Sequence, residues 1–376
     1  MLRFSSSVSR LILKQYPVRL IHARSRNRCY PDEEDDGDKA RKREVNKDGY
    51  FQLYKSKGQH LLTNQRILDS IVRKSDIKPT DTVLEIGPGT GNLTLKLLEA
   101  ANSVVAFEID KRMVEVLHKR VAERGVDDRL TVVCEDALKA EFPEFDLVVA
   151  NIPYGISSPL VAKLVYGERR FRSATLLLQK EFARRLLAKP GDSEFNRLAV
   201  NVSLVADVEF VMDVSKREFV PCPKVDSSVV IIRPKAEVPD VNLDEWCAFT
   251  KACFGKKNKT LGATFKQKKK VVELLALSKL TELNAETEYY IGSNHVDDEE
   301  KSDEEEECSS ACSEMGGASS FKEKLMGVLK SADFENKRPS KLSNDELLHL
   351  LALLNQAGIY FRDRSKNTSV VIESFE

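Results

Sequence analysis

The stretch Thr82-Val-Leu-Glu-Ile-Gly-Pro-Gly-Thr-Gly91 decides the fold, because a β-rich run passes directly into a turn that contains three glycines. Asn92–Ala100 follows with helical spacing, and Ser103–Ile109 is a second β-rich run. The alternation continues to about residue 235, with further strands predicted at 130–134, 146–150 and 174–178 and helices at 111–124 and 158–166. This spacing predicts an α/β fold, a mostly parallel, Rossmann-like sheet with helices on both faces. Such sheets bind ligands at the carboxyl ends of their strands.

The glycine turn indicates the class of ligand. A dinucleotide fingerprint has the spacing Gly-x-Gly-x-x-Gly, whereas this chain has Gly87-x-Gly89-x-Gly91. Glu85 precedes the turn within the strand, where a carboxylate would repel a pyrophosphate but suit a cation. S-adenosylmethionine carries an ammonium and a sulfonium and no phosphate. The turn therefore favours a methyltransferase. The alternative is a nicotinamide-dependent oxidoreductase, and binding of S-adenosylmethionine measured against binding of NAD distinguishes the two.

Two further acids follow the next strands. Glu108 ends the second strand, where a carboxylate accepts hydrogen bonds from ribose hydroxyls. Asp136 follows the third strand and is placed to accept from the adenine amino group of the cofactor. The alternatives are a surface acid for Glu108 and an acid that caps the next turn for Asp136.

The motif Asn151-Ile-Pro-Tyr154 at the end of the fourth strand predicts the acceptor of the methyl group. An exocyclic amine on adenine is a poor nucleophile because its lone pair is delocalised into the ring. The Asn151 side-chain oxygen and a backbone carbonyl, of Ile152 or Pro153, can accept its two hydrogens and expose the lone pair. Pro153 stiffens the loop, and Tyr154 offers a face on which an extruded base can stack. The alternative is a strand-end turn with a purely structural proline.

Taken together, these motifs resemble the ribosomal RNA adenine dimethylase family, the dimethyladenosine transferases. The matching segments run in order and are Lys57–Leu62, Leu84–Thr94, Glu108–Asp110, Asp136-Ala, Asn151–Pro159, Gln179–Ala183, Phe219–Ser227 and Lys257–Leu261. The last of these segments, with the C-terminal Asn355–Ile359, is closest to the eukaryotic branch.

The resemblance implies functions that the residues alone do not give. It implies dimethylation of two adjacent adenosines near the 3′ end of small-subunit ribosomal RNA, with S-adenosylmethionine as cofactor. It places His60 and Leu62 in the cofactor pocket together with Gly87, Glu108, Asp136 and Asn151. It also implies that Phe219 helps to sandwich the target adenine against Tyr154.

The N-terminus differs in composition from the rest of the chain. Residues 1–31 contain six Arg, one Lys and several Ser but no Asp or Glu, which is typical of a mitochondrial transit peptide. A basic tail that touches RNA is the alternative, and with it a nucleolar or cytoplasmic location. Residues 32–49 are expected to form a charged, disordered linker before a methyltransferase domain at 50–235.

Beyond this domain, we expect a helical RNA-contacting subdomain at 236–283, an acidic disordered linker at 284–320 and a C-terminal helical module at 321–365. Ser343 and Glu346 form a capping box in that module, but its docking partner is not legible from sequence. A basic cluster in the subdomain is predicted to contact RNA phosphates, a solvated helix face being the alternative. Its members are Lys256, Lys257, Lys259, Lys266, Lys268, Lys269 and Lys270.

Composition excludes other classes of protein. The 59 basic and 59 acidic residues cancel, so net charge identifies no partner. Seven cysteines without close pairing suggest free thiols, and no apolar run is long enough to span a membrane.

We expect a monomer that holds no metal and acts on ribosomal RNA or a pre-ribosomal particle. A non-catalytic ribosome-assembly or transcription-related protein derived from the enzyme is the second hypothesis, although the intact motifs argue against lost catalysis.

Overall fold

The computed structural model describes residue 53 and residues 59–256, 258–291 and 310–362. Lys55–Glu376 forms one compact unit. The predicted transit peptide at 1–31 and the predicted linker at 32–49 lie outside the described residues, as does Lys257.

Seven strands form one sheet and two short strands form a separate ribbon. The order in the sheet is β4-β3-β2-β5-β6-β9-β7, and β1 pairs with β8 in the ribbon. The strands are β1 (Leu61–Leu62), β2 (Thr82–Ile86), β3 (Ser103–Phe107), β4 (Leu130–Val133), β5 (Leu147–Asn151), β6 (Ser173–Gln179), β7 (Ala206–Val214), β8 (Phe219–Val220) and β9 (Ser227–Pro234).

The sheet is parallel from β4 to β6, while β9 runs antiparallel to both β6 and β7. The predicted Rossmann-like sheet is therefore confirmed, with an antiparallel edge that the sequence alternation did not reveal. From β2 the chain builds β3 and β4 on one side and then returns to place β5 on the other side. The gap between β2 and β5 is thus the topological switch point, where open α/β sheets bind ligands.

Helices cover both faces of the sheet. They are α1 (Gln65–Lys74), α2 (Asn92–Ala100), α3 (Lys111–Ala122), α4 (Ser157–Tyr166), α5 (Lys180–Leu187), α6 (Arg197–Val205), α7 (Leu243–Cys253), α8 (Leu261–Phe265), α9 (Lys268–Ile291), α10 (Ser310–Ser331) and α11 (Asn344–Gln356).

Two hydrophobic cores result because neighbouring strand residues point to opposite faces. Val83 packs with α1, α2 and α3 in one core, whereas Leu84 packs with α4, α5 and α6 in the other. The central strands are buried on both faces and consist of apolar runs, as expected for parallel sheets.

The C-terminal helices dock on the chain's own core. Phe249 of α7 and Phe265 of α8 contact the ring of Phe361 at centroid distances of 5.0 and 6.1 Å. Apolar residues of α10 and α11 are buried in the same core that holds α6 and α7. This packing supplies the docking partner that the sequence left open.

The predicted disordered linker at 284–320 is too long at both ends. The helix α9 continues to Ile291 and α10 begins at Ser310, while residues 292–309 lie outside the described residues. Extending an existing helix fixes one residue for each new hydrogen bond, so a docked helix can propagate into a Ser/Gly/Ala-rich segment that would not nucleate one.

Candidate active site

A cavity of about 540 Å³ opens at the switch point between β2 and β5. The carboxyl ends of β2, β3 and β5 form its floor, and the segment around β1 covers it. It brings together eleven of the predicted site residues, namely His60, Leu62, Glu85, Gly87, Gly89, Glu108, Asp136, Asn151, Pro153, Tyr154 and Phe219.

Gly91 is the predicted cofactor residue that the cavity does not include. It is the N-cap of α2 with φ of 88°, and a Cβ there would lie 2.5 Å from the Leu117 side chain. Gly91 therefore allows the turn to pack closely against α3.

The other two glycines of the turn let it approach neighbouring segments. A Cβ on Gly87 would lie 3.2 Å from Cδ of Pro153, and one on Gly89 would lie 2.8 Å from a methyl of Leu61. Both have positive φ, 68° and 57° respectively. The glycine turn thus packs directly against the Asn151–Tyr154 loop and against β1.

Glu85 lies at the bottom of the cavity, with 1% of its surface exposed. Its carboxylate accepts a hydrogen bond of 2.6 Å from the Thr94 hydroxyl. Burial raises the pKa of Glu85 to about 8, the Thr94 hydrogen bond opposes this shift, and repulsion from Glu108 adds to it. A cation bound nearby would favour the ionised form.

Glu108 is shaped by backbone amides. Its two oxygens accept from Gly89 N–H at 3.1 Å and Asp110 N–H at 2.9 Å. Burial raises its pKa, and these amide hydrogen bonds oppose that shift. The carboxylate is therefore fixed in orientation beside the glycine turn, while its remaining lone pairs can accept from a ligand. The exposed surface-acid alternative does not apply, because the residue is 9% exposed.

Asp136 caps the turn that follows it and also lines the cavity. Its side chain accepts from Leu138 N–H at 3.0 Å, which caps the following turn, and the residue lines the cavity. The cap fixes the carboxylate at the mouth of the cavity without using all of its acceptor capacity.

Asn151 ends β5 with its amide nitrogen directed to the covering segment. Its Nδ2 donates to the His60 carbonyl at 3.3 Å, so Oδ1 remains the end of the side chain available as an acceptor. The Pro153 carbonyl accepts from Ile156 N–H at 3.1 Å. Of the two backbone carbonyls considered, the geometry therefore favours that of Ile152 as the second acceptor.

Two aromatic positions predicted for the target base differ in exposure. Tyr154 is half-buried and stacks on His60, with centroids 6.2 Å apart and planes at 24°. Phe219 lies in β8 opposite Leu62 and is 1% exposed, although it lines the cavity. Phe219 is thus a buried residue of the cavity wall.

Several residues around the cavity escaped the sequence analysis. Arg120 of α3 donates to the Thr90 carbonyl and to Asn92 Oδ1, and Asn92 Nδ2 donates to the Leu62 carbonyl at 2.9 Å. These hydrogen bonds join α3, the glycine turn and β1. Ile109 lies beside Glu108 at the rim of the cavity and is 69% exposed. In the sequence, the only sign of this residue is an aliphatic side chain between two acids.

The predicted basic cluster is not uniform. Lys266 pairs with Glu335 at 2.7 Å and Lys270 with Glu273 at 2.8 Å. Lys256 and Lys259 instead line a second cavity, of about 950 Å³, between residues 191–198, which lead into α6, and the C-terminal segment at 338–341. Lys268 and Lys269 begin α9.

In the part of the chain that the structure describes, no group of three or more His, Cys, Asp or Glu residues could hold a metal ion. None of the described helices is long and apolar enough to cross a membrane.

Comparisons with known proteins identify the family. A family model described as ribosomal RNA adenine dimethylase matches residues 50–291. The chain is 67% identical to the "Ribosomal RNA small subunit methyltransferase, mitochondrial" of Arabidopsis thaliana, over 84% of this chain and 82% of that protein. It is 40% identical to the dimethyladenosine transferase of Saccharomyces cerevisiae, over 83% of this chain and 91% of that protein.

A solved structure agrees with these relatives. The crystal structure of a dimethyladenosine transferase from Plasmodium falciparum is 38% identical, has a TM-score of 0.65, and covers 80% of this chain and 99% of that one. These matches extend over both the sheet and the helices that follow it. The chain therefore belongs to the ribosomal RNA adenine dimethylase family, which confirms the predicted resemblance and enzyme class.

Proposed function

We propose that this chain uses S-adenosylmethionine to dimethylate N6 of two adjacent adenosines near the 3′ end of small-subunit ribosomal RNA. We propose further that it does so as a monomer in the mitochondrion, as part of ribosome biogenesis. The observation that carries the proposal is a single cavity that joins the glycine turn to the Asn151–Tyr154 loop. Pro153 touches the turn at Gly87, so a donor bound on the turn and a base held by the loop would be neighbours.

The charges around the cavity fit a cationic cofactor. Among the described lining residues, Lys111 is the one lysine or arginine. The acids that line the cavity are Glu85, Glu108, Asp110, Glu135 and Asp136. This surface would repel the pyrophosphate of a nicotinamide dinucleotide and attract the sulfonium and ammonium of S-adenosylmethionine. In this proposal Glu108 accepts from the ribose and Asp136 from the adenine of the cofactor, while His60 and Leu62 cover it.

When bound, the cofactor supplies an electrophilic methyl group on a positively charged sulfur. Asn151 Oδ1 and the Ile152 carbonyl accept the two hydrogens of the target amine, which localises its lone pair toward that methyl group. Tyr154 stacks on the base and holds it out of the RNA helix. The chain accelerates the reaction by positioning and polarisation rather than by a nucleophile of its own.

The second transfer follows from the same two acceptors. After one methyl group has been added and the amine has lost a proton to solvent, the nitrogen retains one hydrogen. One acceptor still holds that hydrogen, and the other faces the new methyl group. The lone pair therefore remains available for a second attack.

The second cavity supports an RNA-binding surface. Its basic lining residues are Arg185, Arg197, Lys251, Lys256, Lys259, Arg338 and Lys341, against Glu181, Asp192 and Glu194. Among the described residues, no salt bridge within 4.0 Å involves Arg185, Lys251, Lys256, Lys259 or Arg338. A cleft with more basic than acidic lining residues suits phosphates, which bind without reading sequence. Lys266 and Lys270 are weaker candidates because each already pairs with an acid.

Two observations support the mitochondrial part of the proposal. Residues 1–31 are rich in Arg and Ser and free of acids, and the Arabidopsis relative carries "mitochondrial" in its name. The alternative location is the nucleolus or cytoplasm.

Depletion of the protein followed by mass mapping of dimethyladenosine tests both parts. Mitochondrial and cytosolic small-subunit RNA are digested separately, and the fraction of dimethylated adenosine is measured in each. We expect loss in the mitochondrial RNA alone. Loss confined to the cytosolic RNA would overturn the location, and unchanged modification in both RNAs would overturn the function in the cell.

A further inference from the structure

We propose that Ser227 is a positioning residue, which holds the Tyr154 ring in the plane needed to stack on the target adenine. The proposal rests on the proposed function, since it assigns a role within the same site. This role differs from that of Asn151, which contacts the target amine, because Ser227 touches neither the base nor the cofactor and acts only through Tyr154.

The Tyr154 ring is held at its outer end by one hydrogen bond. The Tyr154 hydroxyl and Ser227 Oγ are 2.7 Å apart. Burial raises the pKa of Tyr154, so the phenol stays protonated at neutral pH and the hydrogen bond persists. Tyr154 begins a single 3-10 turn, Tyr154–Ile156, which Gly155 shares. The turn passes directly into α4, which begins at Ser157, so the backbone of Tyr154 is held by the helix and the contact at the hydroxyl holds the far end of its ring.

Ser227 is a rigid anchor for this contact. It is fully buried and is the first residue of β9, where it pairs with Gln179 of β6 on one side and Val214 of β7 on the other. Its backbone is therefore fixed by the sheet on both sides. The Ser227 hydroxyl therefore fixes the Tyr154 hydroxyl at a defined position relative to the sheet.

His60 restrains the same ring on one face. Its own ring stacks on Tyr154, and its Nδ1 lies 2.8 Å from the Pro221 carbonyl. The His60 carbonyl also accepts from Asn151 Nδ2. The stacking ring and the polarising amide are thus held against one covering segment, and Ser227 fixes the end of the ring that this segment does not reach.

The neighbouring serine provides a matched control. Ser228 is also buried, at 2% exposed, and its hydroxyl donates to Asp213 at 2.6 Å instead of contacting Tyr154. Ser227→Ala and Ser228→Ala each remove one buried hydroxyl from adjacent positions of the same strand. A purely structural role would give both variants the same effect on activity and on thermal stability.

The test is a double-mutant cycle with Tyr154→Phe, which keeps the ring and removes the hydroxyl. Methyl transfer is measured in single turnovers, and base stacking is measured by the fluorescence of 2-aminopurine placed at the target position of the RNA. We expect Ser227→Ala, Tyr154→Phe and the double variant each to lower the rate about 3- to 10-fold, the size of one neutral hydrogen bond. The double variant should be no slower than either single variant, and all three should quench 2-aminopurine less than the wild type. Ser228→Ala should keep the wild-type rate and quenching.

Rate reductions that multiply in the double variant would overturn the proposal, as would an equal reduction of rate in Ser228→Ala. A wild-type protein that quenches 2-aminopurine but transfers no methyl group would contradict the proposed function while leaving the positioning role supported by the fluorescence cycle. Wild-type transfer with unchanged quenching in Ser227→Ala would overturn the positioning role alone.

Discussion

The two ends of the cavity are assembled differently. The proposed cofactor end contains Glu85, the glycine turn and Thr94, which lie on one strand, turn and helix, and Glu108, which directly follows the next strand. The base end joins the Asn151–Tyr154 loop to His60 and Ser227 through hydrogen bonds that span 91 and 73 residues of sequence. Most of the cofactor end is therefore a local motif that β1 covers, whereas the base end depends on contacts with both β1 and β9. Damage to one end should be separable from damage to the other.

The largest effect is expected at the base end. Asn151→Ala removes the acceptor for the target amine, so methyl transfer should fall by about 10²-fold or more. Cofactor affinity should fall only a few-fold, because the glycine turn, Glu85 and Glu108 are unchanged. Single-turnover transfer and calorimetric binding of S-adenosylmethionine measure the two quantities. Transfer at the wild-type rate would contradict the polarisation model.

At the cofactor end, Gly89→Ala should act through binding. An alanine at φ of 57° is strained by about 1–2 kcal/mol, and its Cβ would lie 2.8 Å from Leu61. We expect cofactor affinity to fall about 10-fold. Gly125→Ala is the matched control, since Gly125 also has positive φ, 65°, but a Cβ there meets nothing within 4 Å. That variant should lose similar stability and keep its cofactor affinity, and equal loss of affinity in both variants would contradict the role given to the turn.

The pH dependence of stability should carry the signature of Glu85. Its folded pKa of about 8 lies above the ordinary value of 4.5, so within that window the folded protein retains a proton that the unfolded chain has released. The free energy of unfolding should therefore fall as pH rises, with a contribution of up to about 1.4 kcal/mol per pH unit. Glu85→Gln keeps a partner for Thr94 and should remove this contribution. Denaturant unfolding between pH 5 and 8 measures it, and parallel profiles for the two proteins would contradict a buried, protonated Glu85.

The smallest effect on chemistry is expected from the basic cleft, which belongs to neither end. Replacing Lys256 and Lys259 together by Ala should weaken RNA binding and reduce the slope of log affinity against log salt by about 2, one for each phosphate that a lysine no longer neutralises. The rate of transfer at saturating RNA should stay the same. Lys266→Ala should leave the slope nearly unchanged because Lys266 pairs with Glu335. A larger change from Lys266 than from the pair would show that the RNA lies elsewhere.

Most residues of the proposed cofactor end lie close together in the sequence, so their spacing alone is enough to predict a site. The spacing of Gly87 and Gly89, the preceding Glu85 and the acid at the end of β3 can all be recognised along a continuous stretch. Spacing alone cannot show that the third glycine, Gly91, packs its backbone against Leu117. The alternation of strands and helices likewise gave the parallel part of the sheet.

Other features of the fold and the site are visible only in the folded chain. Ser227 ends a recognisable motif, but nothing in its neighbours indicates that its hydroxyl meets Tyr154. The antiparallel insertion of β9 between β6 and β7 is a tertiary choice that strand patterns do not encode. The pairing of Lys266 with Glu335 joins the turn after α8 to the turn after α10, 69 residues further along the chain, so the sequence predicts a more uniform basic run than the structure has.

The most direct test of the central claim uses purified protein and small ribosomal subunits from mitochondria that lack the modification. Subunits are incubated with S-adenosylmethionine and either wild-type protein or Asn151→Ala, and the RNA is mapped by mass spectrometry. The account predicts N6,N6-dimethyladenosine at two adjacent positions near the 3′ end with the wild type and at neither position with the variant. Absence of methylation by the wild type, or equal modification by the variant, would contradict it.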